Sequence, residues 1–214
     1  MTGDSSETGR LLGRAAGGDQ ESWGALLTRH RERLRRLVAF RMDQRLQGRI
    51  DPSDVIQEVC LEAAAALAEY LRRPAMPFFL WLRGITGNKL LELHRHHLGT
   101  QMRDARREVS PRGASPETTS AALAARLLGH ATRPSEAAVR AEAKARLREA
   151  LNGMDPLDRE VLALRHFEQL SPAEAAQVLG ISKKAAGMRY LRALKRLKEI
   201  LTGLPGGPGG PDHE

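Results

Sequence analysis

The stretch SPAEAAQVLGISKKAAGMRYLRALKRLKE, Ser171 to Glu199, decides how this chain is read. Its opening residues form a helix start: Ser171 as N-cap, Pro172 at the first helical position and Glu174 placed to close a capping box. Ala176 is small where a second helix must cross closely, and Gly180 stops the helix at a position that favours positive φ. Ser182 caps the next helix. Its apolar residues Ala186, Tyr190, Leu194, Leu197 and Leu201 recur at helical spacing and predict an inward stripe. Lys183, Lys184, Arg189, Arg192, Lys195, Arg196 and Lys198 fall mostly outside that stripe, and no acidic residue interrupts them before Glu199. A solvated basic helix would account for the charge but not for the placed Ala, Gly and Ser. A helix-turn-helix accounts for both: its second helix enters the major groove, where Lys and Arg hold phosphates and guanine edges.

The rest of the composition agrees with a polyanionic partner. The 214 residues carry a formal net charge of +8, with 28% charged residues and only 4% aromatic ones. Such a balance favours nucleic acid over a membrane surface. Cys60 is the single cysteine, so no disulfide can form within the chain. The N-terminal MTGDSSETGRLLGRAAGG has no apolar h-region, and no stretch is long and apolar enough to span a bilayer. The expectation is a soluble protein of a reducing cytoplasm, with no membrane partner.

Apolar residues recur every three or four positions and strand patterns are almost absent, which predicts an all-α chain. A first helix is expected from Ser22 to Gln47, with Trp23, Leu26, Leu27, Leu34, Leu37, Val38 and Met42 inward and Arg29, Arg33, Arg36 and Arg41 on the other face. After a break at Gly48, Ser53 is expected to cap a second helix, with Val55, Val59, Cys60 and Ala63 as its inner face. Cys60 reads there as a small buried hydrophobe. A third helix runs from Phe78 to His97, with Phe78, Trp81, Leu82 and Ile85 at core spacing. Gly84 and Gly87 inside it each cost about 1 kcal/mol against Ala, which points to close packing there. Pro111, Pro116 and Pro134, with Ser, Thr and Gly between them, predict a linker in which the stretch from Ala121 can form a short helix. A fourth helix is expected from Ser135 to Leu151, and Asp155-Pro156 opens a fifth that ends near Glu168. The tail GLPGGPGGPDHE is too rich in Gly and Pro to fold. The expected architecture is therefore two small helical domains joined by a long flexible linker: 1–98, a linker over 99–134, a helix-turn-helix domain over 135–204 and a disordered tail over 205–214.

Three motifs in order carry a family resemblance. They are DPSDVIQEVCLEA from Asp51 to Ala63, FFLWLRGITGNKLLELHR from Phe78 to Arg95, and the C-terminal helix-turn-helix. Together they resemble a bacterial ECF-type (extracytoplasmic function) sigma factor. The resemblance implies that Asp51, Asp54, Gln57 and Glu58, with Val55, Ile56 and Val59 between them, belong to a stretch that docks on core RNA polymerase. It implies that the helix bearing Trp81, Leu82, Ile85 and Asn88 helps melt and read a −10 promoter element, and that the helix-turn-helix reads a −35 element. Promoter DNA, double-stranded and melted, and core polymerase are the implied partners, and the family also admits an anti-sigma protein. Asn88, Lys89, His94 and Arg95 are the expected contacts to melted DNA, because unstacked bases need apolar surface beside positive charge. Lys183, Lys184, Arg189, Arg192, Lys195 and Arg196 are the expected contacts to duplex DNA. Where the family often has Thr, Lys and Ser, this chain has Ala185, Gly187 and Met188; Arg189 matches. Base reading then falls to Lys183, Lys184, Arg189 and apolar contact with thymine methyls.

No catalytic constellation competes with this reading. Asp54 and Glu58 lie at i and i+4, but no nucleophile motif or phosphate loop accompanies them, so a docking patch is the better reading and no enzyme is expected. His94, His96 and His97 with Cys60 do not have zinc-ligand spacing, and neither metal nor cofactor is expected. A free-standing helix-turn-helix regulator is the alternative, favoured only if the N-terminal domain binds a ligand or itself.

Overall fold

The computed structural model describes residues 2–43, 46, 48–98, 116–128 and 134–203, and the described residues are helical with no strand. They divide into two compact units, Met1–Gly113 and Ala114–Glu214.

The first unit contains α1 (Thr2–Ala16), α2 (Gln20–Arg41), α3 (Pro52–Arg72) and α4 (Phe78–Leu98). The expected helix from Ser22 begins earlier, because Asp19 and not Ser22 is the cap: its carboxylate accepts from the backbone N–H of Glu21 and Ser22 at 3.0 and 3.2 Å. It ends at Arg41 rather than Gln47. Asp51 replaces the expected Ser53 as cap of α3, accepting from the Ser53 N–H at 2.7 Å, with Pro52 at the first position. α1 lies in a stretch where no helix was expected. Leu11 and Ala15 are buried, and α1 packs on α2 and α3.

The core of this unit joins Leu26, Leu34 and Val38 of α2 to Val55, Val59 and Ala63 of α3 and Leu82 of α4. Phe78 and Phe79 are buried at the start of α4, with the His30 ring 5.5 and 5.7 Å from theirs. Trp81 is half-buried and stacks on Tyr70 at 4.6 Å. Arg41, expected on the outer face of α2, is buried, and the Arg33 guanidinium carbon lies 3.5 Å from the centre of the Phe79 ring. Gly84 does not mark close packing: a β-carbon there would meet open space.

The second unit contains α5 (Pro116–Leu128), α6 (Pro134–Asn152), α7 (Pro156–Leu162) continued by a π-turn over Ala163–Phe167, α8 (Pro172–Leu179) and α9 (Lys183–Thr202). α5 contains the short helix expected from Ala121 within the linker span, but it starts at Pro116 and is part of this unit's core. Leu123 and Ala124 are fully buried, α5 packs on α6 and α7, and Thr119 Oγ1 donates to Glu160 Oε2 at 3.0 Å. The remaining linker residues, 99–115 and 129–133, and the tail expectation for 205–214 lie outside the described residues. Arg159 is buried and its Nη1 donates to the Leu151 carbonyl at 2.8 Å, satisfying an end group of α6.

Candidate nucleic-acid interface

The helix-turn-helix forms as its capping residues dictate. Ser171 Oγ accepts from the Glu174 N–H at 3.2 Å, and the Glu174 carboxylate accepts from the Ser171 N–H at 2.8 Å, a reciprocal capping box. Gly180 closes α8 with φ 66°, a left-handed conformation that disfavours any β-carbon, and Ser182 Oγ accepts from the Ala185 N–H at 3.1 Å to start α9. Ala176 of α8 and Ala186 and Ala193 of α9 are buried and let the two helices cross closely. Tyr190, Leu194, Leu197 and Leu201 are half-buried, as an inward stripe on a small unit would be. Ala193, absent from the expected stripe, is its most buried member.

The basic residues of α9 fall into two groups. Lys183, Lys184, Lys195 and Arg196 are exposed, Arg196 with an i,i+3 pair to Glu199 at 3.0 Å. Arg189 and Arg192 instead turn to α7. Asp158 accepts from Arg192 Nε and Nη2 at 2.6 and 2.9 Å and from Arg189 Nη1 at 2.6 Å, while Asp155 lies 3.1 Å from Arg189 Nη1. The Asp158 side chain is only 6% exposed. Burial on its own would raise its pKa, but the hydrogen bonds from Arg192 and Arg189 outweigh that and hold the carboxyl below its ordinary value. Asp155 is lowered in the same way: burial is outweighed by the Leu157 backbone N–H and by Arg189. Two of the arginines expected to touch DNA thus tie the recognition helix to α7. No local pattern foretells this contact: Asp155 reads as a helix start, and it and Asp158 meet partners some thirty residues away.

In the first unit, Asp51, Asp54, Gln57 and Glu58 are all exposed on α3. Asp51 also serves as the helix cap. Between α2 and α3 runs an apolar groove of about 490 Å³, lined by Trp23, Leu27, Ile56, Gln57, Cys60 and Leu61. Leu61, which sequence reasoning passed over, is 72% exposed beside it. Cys60 is half-buried, and burial raises its thiol pKa, away from the reactive thiolate.

The expected contacts of α4 separate similarly. Asn88 and Arg95 are exposed. Lys89 Nζ pairs with Glu58 Oε2 at 2.7 Å and Glu92 Oε2 at 3.2 Å, so an expected DNA contact and an expected polymerase contact bind each other across α3 and α4. His94 is 7% exposed and its Nε2 accepts from the Asp43 N–H at 3.2 Å; it holds the end of α2 and does not face outward as expected. No cluster of three metal-ligating side chains occurs among the described residues. None of their helices is long and apolar enough to cross a membrane.

Comparison with known proteins extends these surfaces to a family. A family model described as Sigma-70, region 4 matches residues 144–197, from the middle of α6 through α7 and the helix-turn-helix to Leu197. The chain is 30% identical to the RNA polymerase sigma factor CnrH of Cupriavidus metallidurans, over 86% of this chain and 88% of CnrH. It is 29% identical to the ECF RNA polymerase sigma factor SigD of Mycobacterium tuberculosis, over 90% of this chain and 83% of SigD. The solved structure of CnrH in complex with the cytosolic domain of CnrY resembles it with a TM-score of 0.50 and 28% identity, covering 89% of this chain and 94% of that one. The chain belongs to the ECF-type RNA polymerase sigma factors.

Proposed function

We infer that this chain is the promoter-recognising subunit of RNA polymerase: it binds the core enzyme and directs promoter-specific initiation of transcription. The observation that carries this is the capped helix-turn-helix with its lysine-bearing face, in a chain similar to sigma factors over nearly its whole length. The first unit acts as the region-2-like part and the second as the region-4-like part. Asp51, Asp54, Gln57 and Glu58 dock on core polymerase, supported by their common exposure on α3 beside the apolar groove and Leu61. Asn88 and Arg95 contact the melted −10 strand. Lys183, Lys184, Lys195 and Arg196 contact the −35 duplex, and Arg189 and Arg192 hold α9 in position. The protein acts in the cytoplasm, where polymerase and promoter meet, and an anti-sigma protein is a further partner, a reading supported by the solved complex of CnrH with the cytosolic domain of CnrY.

Reconstitution tests this reading. With core polymerase the protein opens its promoter, and thymines near the start site become reactive to permanganate; without core it binds weakly and opens nothing. The variant Asp54→Lys with Glu58→Gln, whose changed side chains are exposed, folds normally and no longer co-purifies with core. Promoter opening by the free protein would contradict the sigma function. Wild-type co-purification of the variant would contradict the docking surface.

A further inference from the structure

The outward face of α9 carries two large apolar side chains among its lysines. Met188 is 65% exposed and Leu191 is 67% exposed; the other large exposed hydrophobics among the described residues are Leu61 and Met76 of the first unit. Lys184, Met188, Leu191 and Lys195 lie at i, i+4, i+7 and i+11, which at 100° per residue keeps all four within an arc of about 60°. They form one stripe about 16 Å long, roughly the length of five base pairs. Arg192 and Arg189 lie to one side of this stripe and both pair with Asp158, Arg189 largely covered and Arg192 still exposed. Along this stripe the helix turns outward an apolar pair between two lysines.

Water-exposed Met and Leu need no explanation when scattered singly. Here they are adjacent, on the second helix of a helix-turn-helix, and bracketed by cations. That charge arrangement complements a polyanion. In the major groove thymine presents a C5-methyl group as its apolar feature.

We propose that Met188 and Leu191 are specificity-determining residues that read thymine methyl groups in the −35 duplex, with Lys184 and Lys195 holding the phosphates on either side. This rests on the assignment of α9 as the −35 reader and names what it reads. Arg189 and Arg192 are positioning residues, which set the orientation of the stripe through Asp158.

The test uses holoenzyme assembled from core polymerase and the full chain. It first selects preferred duplexes from a pool randomised across the −35 element. Each selected thymine is then replaced by deoxyuridine, which removes only the methyl group. Wild-type holoenzyme loses about fourfold in affinity for each methyl it reads, the equivalent of one buried methyl or methylene. Met188→Ala and Leu191→Ala lose a similar factor on the thymine duplex and become indifferent to deoxyuridine at one position each. Because both side chains are exposed, these variants keep the wild-type melting profile. A wild-type enzyme that selects −35 sequences but binds thymine and deoxyuridine equally would overturn the methyl reading and leave the helix-turn-helix assignment standing. Absence of any selection in this element would overturn both. Variants that retain deoxyuridine sensitivity but lose core polymerase would assign the pair to a protein contact and likewise overturn the proposal.

Discussion

The two units are built from opposite materials. Apart from Phe167 and Tyr190, the chain's Phe, Trp and Tyr residues all precede Leu82. In the first unit they join elements distant in sequence: Phe78 of α4 approaches Trp23 and His30 of α2 at 6.2 and 5.5 Å and Tyr70 of α3 at 5.7 Å. The second unit is close-packed with Leu and Ala; Ala163, Ala175 and Ala193 are fully buried. Aromatic cores let long helices stand apart with large side chains between them. Alanine cores let an eight-residue helix such as α8 lie close against its neighbour, which a recognition helix needs if its outer face is to remain clear. The units also place their internal ion pairs differently: in Glu58–Lys89 the carboxylate is the exposed partner, whereas Asp158 is a buried carboxylate beneath its arginines.

The largest effect should come from the aromatic core. Phe78→Ala removes a buried ring and should destabilise the first unit by about 3–5 kcal/mol. Trp23 and Trp81 both lie in that unit, so tryptophan fluorescence reports it selectively, while circular dichroism reports all helices. The expected result is a lower fluorescence midpoint in urea and a dichroism curve that retains a wild-type second transition. A variant that lowers both transitions equally would show that the two units do not unfold as separate bodies.

Asp158→Ala should weaken the second unit by about 2 kcal/mol, the scale of a hydrogen bond to a charged group, with the exposure of Arg192 limiting the gain from the ion pair itself. The tryptophan signal should not move. Its pH dependence has a definite sign. A carboxyl held below its ordinary value of 3.8 contributes stability that is present above that value and lost as pH falls through the lowered one. Wild-type second unit should therefore lose stability below about pH 4, and Asp158→Asn should lose less over the same interval. Equal acid sensitivity of both proteins would locate the titration elsewhere.

The same contrast explains what could be read from the sequence. Caps are local, so Ser171, Glu174, Gly180 and Ser182 could be placed to the residue, and with them the second unit's recognition helix. α1 was not legible, because TGDSSETGRLLGRAA has few apolar positions and is helical through packing on α2 and α3. The short helix from Ala121 is legible within the expected linker, but its start at Pro116 and its place in the core, with Leu123 and Ala124 buried, depend on packing against α6 and α7. Site residues divided on the same line. Exposure of the α3 carboxylates followed from helical spacing, but the burial of His94 and the pairing of Arg189 and Arg192 within the unit depend on Asp43, Asp155 and Asp158, which no local pattern connects to them.

Removing a cap is a smaller change. Ser171→Ala should cost the second unit about 1 kcal/mol. The loss should appear in dichroism and leave tryptophan fluorescence and co-purification with core polymerase unchanged. A fall in core binding would mean that the start of α8 touches polymerase.

The smallest effect sharpens the comparison most, because it concerns the first unit's counterpart to Asp158. Lys89 pairs with Glu58 at 2.7 Å, but Glu58 is 51% exposed, so solvent screens the pair. A double-mutant cycle of Lys89→Met and Glu58→Gln should give a coupling of about 0.5 kcal/mol that shrinks in high salt. Hydrogen bonding to Glu58, and next to Glu92, raises the Lys89 pKa above its ordinary 10.5. The pair's contribution is therefore complete below that value and lost as pH rises through the raised one, the alkaline end of the range, where the second unit's Asp158 contribution persists. If Glu58 docks on core polymerase, Lys89 competes for its carboxylate. Lys89→Met should then bind core at least as tightly as wild type despite the slight loss in stability. Weaker core binding by that variant would make the bridged Glu58–Lys89 pair, and not Glu58 alone, the surface that polymerase recognises.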